Sequence, residues 1–141
     1  MSDKDNKHAI DNAVAGLASI KEMLEAYDKA VEEGDQSVIE STEQQIHEDP
    51  LELTVRSGWY NPYDRKADKK PAEFFILLST GCPASRIIGQ LDNNLDVESA
   101  RLEWQDWGTP WTEHRTTAEE EEILKRYAGF FVSSDLLFTG E

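Results

Sequence analysis

S-A-R-L-E-W-Q-D-W-G-T-P-W-T-E-H-R, residues 99–115, holds three of the four tryptophans of the chain. Ala100, Leu102 and Trp104 alternate with Arg101, Glu103 and Gln105, which is the period-two pattern of a strand with one buried face and one wet face. Trp104 is therefore expected in the core. From Asp106 the alternation stops, and Gly108 and Pro110 mark a tight turn that places Trp107 and Trp111 on a loop. Indoles held on a rigid loop either close one end of the core, with their N–H groups satisfied by backbone, or form a contact surface.

Working outward, residues 74–79 and 86–91 are dense apolar strands joined by T-G-C-P-A-S, and Asp92-Asn93-Asn94 supplies turn chemistry that returns the chain into the Trp104 strand. Upstream, Leu51, Leu53 and Val55 alternate with Glu52, Thr54 and Arg56 in a further strand that ends at Ser57-Gly58. These pieces predict a four-stranded antiparallel β meander. Thr117 precedes Glu120 by three residues, a capping box, and the acidic run 119–122 lies where the helix dipole favours negative charge. A C-terminal helix follows, with Ile123, Leu124, Tyr127 and one of Phe130 or Phe131 toward the sheet, and D-L-L-F-T-G-E as an apolar tail that docks or adds an edge strand.

The first fifty residues have a different period. Ile10, Val14, Leu17, Ile20, Leu24, Tyr27 and Val31 recur at spacings of three and four, an amphipathic helix stopped at Gly34. Ser37 with Glu40 suggests a capping box for a second helix through Ile39, Thr42 and Ile46, ended at Pro50. The fold class is α+β: an acidic helical hairpin over 1–50, then a domain over 51–141 with the antiparallel sheet and the C-terminal helix, the two forming one unit. The apolar seam of the hairpin is narrow and packs on its own sheet, on a second copy or on a partner. The expected state is a monomer or a homodimer through the N-terminal helix.

The chain has 141 residues, enough for one domain with a core of its own, and 29 acidic against 14 basic residues give a net charge of -15. Such a charge disfavours direct binding to nucleic acid or to anionic lipid and favours basic protein surfaces. Residues 1–50 carry thirteen acidic and four basic residues, so the negative field is concentrated in the hairpin. The cluster Arg65, Lys66, Lys69 and Lys70, in the turn-rich W-Y-N-P-Y-D-R-K-A-D-K-K-P, is the positive exception. It either grips an acidic group or answers the acidic hairpin.

Cys82 is the single cysteine, so no intrachain disulfide forms and a reducing cytoplasm is expected. The N-terminus lacks a signal-peptide layout, and the longest apolar run, 74–78, is too short to cross a bilayer. Cys82 and Arg86 are separated by three residues, where a thiol-phosphatase loop needs five, and Pro83 removes an amide that loop requires. His8, His47 and His114 are scattered without metal-ligand spacing, and no histidine stands beside a candidate nucleophilic serine. No catalytic residue, metal site or cofactor is expected. Trp59, Tyr60, Tyr63, Trp107 and Trp111 remain as candidate contact aromatics, with Glu32, Glu33, Glu40 and Glu43 as the acidic contacts.

V-R-S-G-W at 55–59, I-L-L-S-T-G-C-P-A-S-R-I-I-G-Q-L-D at 76–92, A-R-L-E-W-Q-D-W-G-T-P-W-T-E at 100–113 and the acidic helix ending in Tyr127-Ala128 carry a resemblance over residues 51–141. The chain resembles a poorly characterised family of small acidic proteins of phages, plasmids and conjugative elements. It departs from that pattern at Cys82, where a second glycine is expected, in continuing past Tyr127, and in the front hairpin. The resemblance implies a setting shared with antirestriction and anti-CRISPR proteins. The expected function is stoichiometric inhibition of a host nucleic-acid-processing defence complex in the host cytoplasm, through the basic surface of that complex and as a nucleic-acid mimic. The alternatives are a nucleotide- or glycan-binding domain that uses the loop aromatics, or a small hydrolase.

Overall fold

Helix and sheet periods divide the chain where the sequence pattern changes. The computed structural model describes residues 7–59, 61–64, 71–81, 83–106 and 109–132. Two helices, α1 (Lys7–Glu33) and α2 (Gln36–Glu48), precede strands β1 (Glu52–Ser57), β2 (Pro71–Ser79), β3 (Ala84–Leu91), β4 (Val97–Gln105) and β5 (Thr112–His114), and α3 (Ala118–Gly129) follows. The strands form one antiparallel sheet in sequence order. The expected four strands gain a fifth, because the chain after the 106–110 turn folds back and pairs Trp104 with Thr112 and Leu102 with His114.

The hairpin turn is set by two residues. Gly34 takes a left-handed φ of 77°, which ends α1 without the penalty a side chain would bring. Asp35, rather than Ser37, is the N-cap of α2: its carboxylate accepts the backbone N–H of Ser37 at 3.0 Å and the Ser37 hydroxyl at 2.8 Å. These bonds hold the Asp35 carboxyl below the usual carboxylate range. At α3 the expected capping box is present, Thr117 and Glu120 exchanging bonds of 2.9 and 3.1 Å.

The buried seam of α1 consists of Ala9, Ala13, Leu17, Ile20, Met23, Leu24 and Ala30. Val14 and Val31, expected within it, are 46% and 48% exposed. The small alanines take their place and let the helix lie close to its neighbours. Leu17, Ile20, Met23 and Leu24 share one core with Ile46 of α2, with Phe74, Ile76, Ile87, Leu102 and Trp104 of the sheet, and with Leu124 and Tyr127 of α3. Leu124 and Tyr127 face inward as their spacing predicts, Phe131 is buried, and Phe130 packs edge-on against Tyr27 at 5.1 Å.

Cross-strand register sorts the sheet residues onto two faces, since directly opposed residues share a side. Leu53 opposes Ile76, Val55 opposes Phe74, and the row continues through Ile87, Gly89, Ala100 and Leu102 on the helix side. The helices cover β2, β3 and β4 but leave Leu53 and Val55 of β1 more than a third exposed. On the other side, Arg56, Glu73, Phe75, Arg86, Ile88, Arg101 and the buried Glu103 form a face with no helix over it among the described residues. Among the described residues, no helix is long and apolar enough to cross a membrane.

Candidate partner-binding surfaces

The exposed side of the hairpin follows from the helical period. Opposite the buried seam of α1, within about 100° of one another around the helix axis, lie Asp11, Glu22, Glu25, Glu32 and Glu33, all exposed. None of these five forms an ion pair with a described residue. Glu40 of α2 is exposed and accepts a bond from Gln36 at 3.4 Å, while Glu43 is half-buried beside His47 at 3.7 Å. The structure thus brings Glu32, Glu33 and Glu40 to the tip of the hairpin. The sequence reading missed Glu22 and Glu25, which the 3.6-residue period places on the same stripe.

Asp28 lies outside this set. Its carboxylate accepts two bonds from Arg126 of α3, at 2.7 and 3.0 Å, which tie the hairpin to the last helix. The guanidinium holds the Asp28 carboxyl below its ordinary range, and the carboxylate raises Arg126 in turn. A second tie runs from the Tyr127 hydroxyl to Asp49 at 2.6 Å. Burial, aided by the neighbouring Asp49 carboxylate, pushes the Tyr127 phenol well above its usual value.

The open sheet face carries a different chemistry. The Arg86 guanidinium lies between two rings, 4.1 Å from the centroid of Trp111 and 5.1 Å from that of Phe75. Glu103 accepts a hydrogen bond from its Nε at 2.7 Å and sits 2.7 Å from its Nη2 in an ion pair, and a wider network continues through Arg101 to Glu113. Trp111 is therefore on the outside of the sheet, not over the core between sheet and helices. Trp104, on the same segment, is buried on the helix side as its alternation predicts. Phe75, Arg86 and Glu103 were not singled out as contacts in the sequence, although the polar Arg86 and Gln90 around Ile88 in β3 carry the signal of an open face.

Two hollows lie along β1 and β2. One, of about 790 Å³, is lined by Arg56, Trp59, Pro62, Glu73, Gln90 and Glu98 among others, and the second, of about 380 Å³, by Thr54, Arg56, Glu73, Phe75, Arg86 and Ile88. The cross-strand ion pair Arg56–Glu73 lines both. Trp59 and Tyr63 are almost wholly exposed. Tyr60, Trp107, Cys82, the basic stretch 65–70 and the tail 135–141 lie outside the described residues. Among the described residues, no three His, Cys, Asp or Glu side chains gather so as to hold a metal ion.

No family model matches this chain, and comparison with curated proteins and with solved structures gives no match.

Proposed function

We propose that the protein is an accessory protein of a mobile genetic element that binds and stoichiometrically inhibits a host nucleic-acid-processing defence complex, in the manner of an anti-CRISPR protein. The observation that carries this reading is the acidic stripe on α1, which has no ion-pair partner among the described residues. From Glu22 to Glu33 it runs about 16 Å along one helix face, and every carboxylate on it is solvent-facing. Carboxylates so placed stand in for phosphates and accept charge-assisted bonds from Arg and Lys on a basic groove. A packed helix holds them in place, so little ordering entropy is lost on binding.

The test is capture of host proteins on the immobilised chain, followed by competition. The expected partners are nucleic-acid-binding proteins that duplex DNA or RNA displaces, and their affinity falls about tenfold or more between 50 and 300 mM salt, as charge-dominated association does. A variant with Glu22, Glu25, Glu32 and Glu33 all changed to Gln should lose that capture. Equal capture by the variant at every salt concentration would remove the mimicry reading.

The two hollows favour a second reading, a binding site for a nucleotide or glycan, because their volumes fall in the range of small-ligand pockets. Arg56 and the exposed Trp59 would supply charge and a stacking face. A thermal-shift screen with nucleotides and oligosaccharides, repeated on Arg56→Ala, decides it: a stabilising ligand whose effect disappears in the variant supports the site.

A further inference from the structure

Among the described residues, strand β1 is an open edge of the sheet. Among the described residues nothing pairs with its outer side, and unlike the three-residue β5 at the opposite edge, it presents six residues. Natural edges are usually blunted by proline, lysine or a central bulge. β1 contains no Pro or Lys, and its single register irregularity lies at its end, between Arg56 and Ser57. Its helix-side residues Leu53 and Val55 are 38% and 39% exposed, and Leu51 just before it is 59% exposed.

We propose that this edge pairs with β1 of a second copy of the chain, giving a two-fold dimer with one continuous ten-stranded antiparallel sheet. The sequence of the strand is complementary to itself in one register. With Thr54 on the two-fold axis, Glu52 of each copy opposes Arg56 of the other on the open face, and Leu53 opposes Val55 on the helix side. Opposed residues in an antiparallel pair share a face, so this register keeps both helix layers on the same side and extends the apolar row of Phe74 and Ile76 across the axis. Shifting by one residue sets the outward Glu52 against the inward Ser57 and turns the two helix layers to opposite sides. Shifting by two sets Glu52 against Thr54 and removes the charge match. The Glu52 carboxylate, which has no ion-pair partner among the described residues, then joins the Arg56–Glu73 pair.

This inference goes beyond the proposed function and does not depend on it. Sedimentation of the full chain over a range of concentrations should show a species of twice the 16.0 kDa chain mass. Val55→Lys places a lysine against Leu53 twice per dimer by symmetry, and should raise the dimer dissociation constant at least about tenfold with an unchanged circular dichroism spectrum. Leu53→Lys should act the same way, so a folding defect in either variant leaves the other to decide. Register is read by cysteines in a Cys82→Ser background: Thr54→Cys cross-links to itself, and Leu53→Cys cross-links with Val55→Cys but not with itself, because diagonal positions lie about 7–8 Å apart. A monomer at every concentration overturns the proposal. So does a dimer that both lysine variants leave intact.

Discussion

Gly89 stands in the middle of β3, where a strand gains nothing from lost side-chain packing unless something else needs the space. A Cβ there would collide with the backbone oxygen of Ser99 and lie 2.7 Å from the Phe74 ring, so the phenyl group and β4 occupy the room a side chain would take. Gly89→Ala should cost about 3 kcal/mol in urea unfolding, the upper range for overpacking, since the backbone atom cannot yield. Leu95 shows the opposite compromise. It adopts a φ of 66° in the turn after β3, a strained conformation for a leucine, yet its side chain is 2% exposed. Apolar burial offsets the strain, and the turn chemistry of Asp92-Asn93-Asn94 gave no sign that the left-handed residue would be the next one. Tyr127 adds a buried phenol that donates to Asp49. Its folded phenol holds its proton more tightly than the unfolded one, so the associated stability is present below about pH 10 and is lost as pH rises beyond it. Tyr127→Phe should cost about 1–2 kcal/mol at neutral pH. It should also lose that alkaline fall in chemical denaturation measured from pH 8 to 11.

At the scale of elements, the two faces of the sheet assign different costs to tryptophans seven residues apart. Trp104→Ala opens a cavity among Leu102, Ile87 and the helices and should cost about 3–5 kcal/mol. Trp111→Ala uncovers the Arg86 guanidinium on the open face and should cost about 1–2 kcal/mol, the cation–π contact plus part-buried area. Thermal melts of the two variants separate these environments, and equal losses would contradict the placement of Trp111 outside the sheet. Much of this was legible. Alternation in 100–105, the dense runs of β2 and β3 and the Thr117–Glu120 box all name their elements, because each is long or chemically specific. β5 was not legible, since three residues cannot display a period, and the face Trp111 takes depends on the pairing of that strand. The α1 seam was half legible: Leu17, Ile20 and Leu24 announce it, but alanines at 9, 13 and 30 fit a buried or an exposed face equally well. Asp35 and Ser37 are both good caps two residues apart, and the choice of Asp35 depends on where Gly34 ends the preceding helix. The candidate contacts were legible as a class of residue more than as a surface, since the cross-strand register alone joins Phe75, Arg86 and Glu103.

For the whole molecule, the charge of -15 acts on folding and on binding with opposite signs. The stripe Glu22, Glu25, Glu32 and Glu33 has no paired cation among the described residues, so its self-repulsion weakens the folded hairpin, and salt that screens it stabilises the chain. The exposed Asp28–Arg126 bridge responds the other way but weakly, being worth at most about 1 kcal/mol in such a setting. Because the folded Asp28 carboxyl is held low, its contribution is present above the ordinary Asp range and is lost as pH falls below about 4. Melts from 20 to 300 mM salt at pH 7 should therefore rise, while affinity for a basic partner falls over the same range. Neutralising the four glutamates to Gln should flatten both responses together, because both come from the same carboxylates. If the melting response flattens and the binding response does not, the partner is held by another surface, and the open sheet face around Arg86 and Trp111 becomes the contact to change next.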